Sequence, residues 1–308
     1  MLDEIIKTSE YVVENSKHVK MNYDNIDKFI SDIDTSNLKN WLLYNPNNIL
    51  DLDVETLVNL LLKFESIDYS FWGNPKWTIE TENGKKDGSD ALMYQMIKYA
   101  KEKGTDFSKI TLTDIKNLLK GNTEIPLIEE RYNTIKEISE IENKKMNGSF
   151  YNYTKDITED KELFELIIKN FKSFKDERTY KDKKIYFYKL ALLLTSDILH
   201  VREYKENIKV NYSNLTGCSD YKIPQTMRAL GLIEYDEELK NIVDNKKEMK
   251  INSEYEVEIR ASQVYTIYYI KEKLKNTNMI DINDYFFTCS KNVKEKAKSY
   301  HLCRCTNY

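Results

Sequence analysis

Two charged residues stand where charge is expensive. Lys189 interrupts the apolar run Ile185-Tyr-Phe-Tyr-Lys-Leu-Ala-Leu-Leu-Leu194, and Asp220 opens the turn Asp220-Tyr-Lys-Ile-Pro-Gln225. A cation or a carboxylate taken out of water has to be paired or put to use, so both are candidates for a site. Pro224 is placed like the first turn of a helix, and a helix N-terminus stabilises an anion. Asp220 is therefore expected to stay ionised at neutral pH. The plain alternatives are a turn or capping aspartate and a lysine that snorkels from a helix edge.

Three further groups accompany them. Phe71-Trp72 with Trp77 could form a stacking wall for a planar base; otherwise it is a core aromatic patch. Asp197 falls on the same predicted helix as Lys189, and eight residues at 3.6 per turn set the two roughly 80° apart around the axis. They could line one cavity without touching, although Asp197 could instead pair with a neighbour such as Arg202. Glu256-Val-Glu258-Ile-Arg260 alternates charged and apolar residues at the start of a predicted helix, either a ligand-reading face or a surface ladder of ion pairs.

The elements that must position these residues are mainly helical. The chain has 308 residues, enough to bury a deep pocket, and its 8 Gly and 4 Pro among 32% charged residues favour helices over a turn-rich β architecture. Amphipathic spacing marks helices at residues 24–31 and 54–64, with Asn45-Pro-Asn-Asn between them. Trp77-Thr-Ile-Glu followed by Asn83-Gly84 predicts a type I′ hairpin over about 76–87. Further helices are predicted at 89–103, at 111–120 with an N-cap threonine or aspartate and a terminal glycine, and from Pro126. Others follow at 158–171, 186–200, 225–230 closed by Gly231, after the cap Asp236, and at 256–275. No repeat or linker is evident, so the expectation is one compact domain over 1–308, an N-terminal helical part of about 1–65 packed on a body of 66–308.

Several classes are set aside. The start Met-Leu-Asp-Glu-Ile-Ile-Lys-Thr lacks the basic and apolar pattern of a signal peptide, and no run approaches the roughly 18 apolar residues of a membrane span; a soluble, cytoplasmic protein is expected. The four cysteines, Cys218, Cys289, Cys303 and Cys305, include no C-x-x-C pair, and no metal or other cofactor is expected. A net charge of −4 argues against a nucleic-acid footprint but leaves room for a small anionic ligand in a local pocket. The Lys-rich stretches 181–184 and 291–298 carry acidic neighbours and read as solvated faces.

The order of motifs adds what no single one carries. Phe71-Trp72, Pro126-Leu-Ile-Glu-Glu-Arg131, Gly148-Ser-Phe150, Tyr186-Phe-Tyr-Lys189, Asp197, Ser219-Asp-Tyr-Lys-Ile-Pro-Gln225, Leu230-Gly-Leu-Ile-Glu-Tyr235, Glu256-Val-Glu-Ile-Arg260 and His301-x-x-Arg304-Cys305-x-x-Tyr308 resemble the queuosine salvage family from about residue 60 to the last. Members hydrolyse queuosine 5′-phosphate and release the base queuine. The resemblance implies an all-helical fold similar to DNA glycosylases, a catalytic Asp220 and a functional Lys189. It implies a substrate-binding set of Phe71, Trp72, Asp197, Tyr221, Lys222, Glu258 and Arg260, with Lys189 at the 5′-phosphate or ribose and Asp197 and Glu258 toward the base amines or diol. Where some relatives carry an aromatic residue two positions before the aspartate, this chain has Cys218, so Phe71 or Tyr221 would stack on the base instead. The alternative is a noncatalytic queuine-binding or tRNA-modification partner protein.

Overall fold

The computed structural model describes residues 1–38, 40–44, 49–290, 293 and 297–308. Among them are thirteen α-helices: α1 (Leu2–Asn15), α2 (Tyr23–Asp32), α3 (Val54–Ser66), α4 (Gly88–Lys103), α5 (Leu112–Leu118), α6 (Ile128–Lys145), α7 (Phe150–Thr154), α8 (Asp160–Asn170), α9 (Lys189–Glu206), α10 (Lys222–Ala229), α11 (Glu237–Asp244), α12 (Glu254–Lys273) and α13 (Met279–Cys289). Three antiparallel strand pairs join them, β1 (Val19–Met21) with β6 (Ile233–Tyr235), β2 (Thr78–Thr81) with β3 (Gly84–Asp87), and β4 (Glu177–Tyr180) with β5 (Lys183–Tyr186). The fold is mainly α, as the composition requires. The Asn45-Pro-Asn-Asn break and residues 291, 292 and 294–296 of the second Lys-rich stretch lie outside the described residues.

Local chemistry accounts for most boundaries. Thr111 and Asp114 form a reciprocal capping box at α5, and the Asp236 carboxylate caps α11 through the Leu239 amide. The β2–β3 hairpin forms at the predicted place with a different turn. Thr81 pairs with Gly84, and of the turn residues only Gly84 takes a positive φ, 96°, so the strained conformation falls on glycine rather than on the two residues a type I′ turn needs. The β4–β5 turn carries no such signal: Lys181 and Asp182 take φ of 46° and 62°. Its formation moves the start of α9 from the predicted Tyr186 to Lys189, because Tyr186 closes β5 and Tyr188 is left-handed, with φ 52°. Similarly α10 begins at Lys222 rather than Gln225.

Two apolar clusters support the cleft. One surrounds α3 and α9; Leu57, Leu60, Leu61 and Phe64 meet Leu190, Leu194 and Ile198, all buried. The other joins β1 and β6 to α10–α13 through Ile223, Met227, Ile259, Ile267 and Phe286. Every residue of α3 from Leu57 to Ser66 is buried, including Lys63 and Glu65, so its polar side chains must find partners inside. Lys63 finds Glu142 on α6. No helix among the described residues is long and apolar enough to cross a membrane.

Candidate active site

A cleft opens where the end of α3, the starts of α9 and α10 and one face of α13 converge. Its deep part is walled by Trp41, Phe64, Leu193 and Ile223 and floored by Glu65, Asn283 and Asp284. Its mouth is larger and is lined by Phe71, Lys76, Tyr221, Lys222 and Tyr300 among others. Asp68, Ser89, Lys189, Asp220 and Phe287 belong to both parts and form the neck between them.

Lys189, the first residue of α9, is buried and donates from Nζ to Asp68 Oδ2 at 2.7 Å and to the Asp68 carbonyl at 2.9 Å. The loop presenting Asp68 is fixed from two sides. The buried Arg131 guanidinium holds the carbonyls of Ile67 and Tyr69. On the other side, Ser70 Oγ donates to the Cys305 carbonyl at 2.7 Å and the Ser70 amide to the Tyr308 carbonyl at 3.0 Å. The Arg131 and Arg304-Cys305-x-x-Tyr308 motifs thus act on the cleft through the backbone around Asp68. Burial pulls the Lys189 ammonium pKa down, but the charges of Asp68 and Asp220 and the hydrogen bond to Asp68 help to outweigh it and leave the lysine raised.

Asp220 is held differently. Its Oδ1 accepts from the amides of Lys222 at 2.8 Å and Ile223 at 2.9 Å, the first N–H groups of α10, and no hydrogen bond reaches its second oxygen from the described residues. Gln263 on α12 clamps the backbone beneath, accepting from the Asp220 amide at 3.1 Å and donating to the Cys218 carbonyl at 2.6 Å. One residue away, Arg260 donates to Ser219 Oγ at 3.1 Å and to the Ser219 carbonyl at 3.2 Å. Burial pushes the Asp220 carboxyl up; Lys189 and the two helix amides pull it back, with a net upward displacement. A carboxylate in this balance can stabilise a neighbouring cation and is costly to leave without one.

The floor is acidic. Trp41 Nε1 donates to Asp197 Oδ1 at 2.8 Å, and Asp197 faces Glu65 across the space between α9 and α3. Burial drives the Glu65 pKa well up, with Asp197 and Asp68 adding to it; burial likewise raises Asp197. Asp284, also pushed well up by burial, accepts from the Trp41 amide at 3.0 Å and from Asn40. Lys189 is the one cation among the described residues lining this deep part.

The sequence candidates therefore separate. Lys189 and Asp220 share the neck; Phe71, Tyr221 and Lys222 line the mouth; Asp197 stands behind Glu65. Tyr221 packs on Tyr300 with ring centroids 4.8 Å apart, and Lys222 lies over the same ring. Trp72 faces a neighbouring groove under Arg304, whose guanidinium carbon lies 3.8 Å from the ring centre. Glu258 and Arg260 are not in the cleft. Glu258 accepts from the amides of Lys17, His18 and Val19 and from the hydroxyls of Ser16 and Tyr180, which fixes the entry to β1. Arg260 is enclosed by Asp176, Glu256 and Ser219. Sequence reasoning missed Trp41, Glu65, Asp68, Asp284 and Tyr300. Glu65 had the signal that exposed Lys189, a charge inside an apolar helical run.

The family model and the curated relatives agree. A family model described as "Queuosine salvage protein" matches residues 48–308. A Sphaerobacter thermophilus protein named "Queuosine 5′-phosphate N-glycosylase/hydrolase" is 30% identical over 228 residues, 71% of this chain and 70% of that protein. Proteins of the same name from mouse, 25% identical over 98% of both chains, and from Dictyostelium discoideum, 28% identical over 85% of this chain and 84% of that one, are similar along most of their length.

Proposed function

The chain belongs to the queuosine salvage protein family, and on that premise we propose that it hydrolyses the N-glycosidic bond of queuosine 5′-phosphate, with Asp220 carrying the chemistry. The observation that carries this reading is the position of Asp220 at the neck between a smaller, mostly apolar recess and a larger mouth of mixed polar and aromatic lining. A nucleotide has the same division, a planar base joined at one carbon to a sugar phosphate. With the base in the recess, the anomeric carbon falls at the neck.

Breaking the bond leaves the electron pair on the base nitrogen and develops positive charge on the anomeric carbon. The free oxygen of Asp220 stabilises that charge and orients a water whose oxygen bonds to the carbon; the proton the water loses passes to the carboxylate and from it, through solvent, to the departing base nitrogen, which returns Asp220 to its ionised form. Queuine is a 7-deazapurine and lacks the N7 lone pair that other purine-cleaving enzymes protonate, so the load falls on Asp220. Lys189, tied to Asp68 at 2.7 Å, supports it by keeping Asp220 ionised rather than by gripping the phosphate directly. Ribose and phosphate lie in the mouth, beside Tyr221 and Lys222, and Phe64 and Phe287 flank the base. Arg260 and Gln263 are positioning residues that hold the Ser219–Asp220 backbone.

Incubation with queuosine 5′-phosphate, queuosine and queuosine-containing tRNA, followed by chromatography for free queuine, tests the reading. The expected result is queuine from the 5′-phosphate and none from intact tRNA, because the net charge of −4 opposes a polyanion. Binding without release of base from any of the three would contradict hydrolysis and favour a carrier.

A further inference from the structure

The floor of the cleft holds more carboxyl oxygens than donors to satisfy them. Glu65 Oε2 and Asp197 Oδ2 are both buried, and neither receives a hydrogen bond from an N–H or an alcohol O–H among the described residues. Glu65 and Asp197 neighbour each other and act on each other's titration, and two buried carboxyl groups so placed avoid like-charge repulsion by sharing one proton. Trp41 Nε1, donating to Asp197 Oδ1 at 2.8 Å, marks Asp197 as the acceptor and leaves the proton on Glu65. Glu65 lines the recess with Asp197 behind it. The charged and titratable groups around the pair are Asp68 after α3, Lys189 on α9, Asp220 and Cys218 before α10, and Asp284 on α13. Negative groups outnumber the single lysine.

We propose that the Glu65–Asp197 pair is a one-proton receptor for an alkylammonium group on the base. In the empty cleft the pair keeps its proton. When a ligand places an ammonium against Glu65, the cation takes over the proton's role of separating two carboxylates, and the proton leaves the Glu65 carboxyl for the buffer; no other bond is made or broken. Queuine carries a secondary amine on the substituent of its deazaguanine ring, so the inference rests on the function proposed above and names the part of the substrate that selects it. A base without that amine leaves the proton where it is and gains only neutral hydrogen bonds, which are weaker than charge-assisted ones.

Titration calorimetry at neutral pH, in two buffers of different ionisation enthalpy, reads the proton count directly. Wild-type protein is expected to release roughly one proton per queuine bound and none on binding 7-deazaguanine, which lacks the amine. Glu65→Gln, which keeps the shape and donates an amide hydrogen to Asp197, should still bind queuine with no buffer dependence. A wild-type binding enthalpy independent of buffer, or equal proton release with 7-deazaguanine, overturns the inference even if Glu65→Gln fails to fold. If the wild type nevertheless releases queuine from queuosine 5′-phosphate, only this inference falls; if it neither binds nor releases queuine, the proposed function falls with it.

Discussion

Two buried charge clusters stand back to back in this molecule, and they are built on opposite rules. In the first, Asp176, Arg178, Glu256 and Arg260 balance two carboxylates against two guanidinium groups. Arg260 Nη1 bonds to Asp176 at 3.0 Å, and Arg178 Nε bonds to both Glu256 oxygens at 3.0 Å. All four side chains are buried and none has an unpartnered atom. In the second, Glu65, Asp68, Asp197, Asp220 and Asp284 have only Lys189 as a neighbouring cation in the deep part of the cleft, and oxygens of Glu65, Asp68 and Asp197 receive no hydrogen bond from an N–H or alcohol O–H among the described residues. A balanced cluster is complete in itself and holds the chain together. An unbalanced one is stabilised by whatever enters it, and its cleft is where a ligand belongs. Arg260 sits in the first cluster and reaches Ser219, so the scaffold presents Asp220 to the site.

This comparison can be broken by mutation. The largest effect on stability should come from Arg260→Met, which leaves Asp176 and Glu256 buried with one fewer partner; a loss of about 3–5 kcal/mol in denaturant unfolding is expected. A loss near zero would show the network to be dispensable. At Lys189 the effect should appear in the pH profile. The lysine lowers the Asp220 pKa, and Asp220 must be ionised to act, so Lys189→Met should move the acid limb of kcat/KM to higher pH. An unmoved limb would separate Lys189 from Asp220. The smallest effect belongs to Asp197→Asn. A carboxyl whose folded pKa is raised binds more protons folded than unfolded, so its contribution is present at low pH and falls as pH rises from the ordinary carboxyl range through the folded pKa. The variant should flatten that fall, within about 1 kcal/mol at neutral pH; an unchanged slope of stability against pH would mean that the pair does not titrate.

How much of this was legible in the sequence follows the range of the interactions. Helix periodicity and caps are local, and α5, α8 and α11 appear where Thr111, Leu163 to Phe171 and Asp236 place them. The β2–β3 hairpin was visible through Asn83-Gly84, whereas β4–β5 turns on Lys181 and Asp182, where the aspartate favours a turn but no glycine follows it to complete the hairpin signal. Lys189 and Asp220 were found because a charge amid apolar residues is costly wherever its partner lies. That rule gives no address for the partner: Arg260 and Lys189 look alike until Asp176 and Asp68, each distant in the chain, are brought beside them. Glu258 reads as a ligand contact by the same logic and serves the Ser16–Val19 turn. Asp197 illustrates the remainder, since helix geometry placed it near the cavity of Lys189 but could not reveal Glu65 in between.

The most direct test of the central claim is a single-turnover measurement of queuine release from queuosine 5′-phosphate by Asp220→Asn beside the wild type. The asparagine preserves the acceptor that caps α10 and removes the charge. The account predicts an unchanged fold, retained binding of queuosine 5′-phosphate and a release rate lower by roughly 10² or more. Release at a rate near that of the wild type would contradict it.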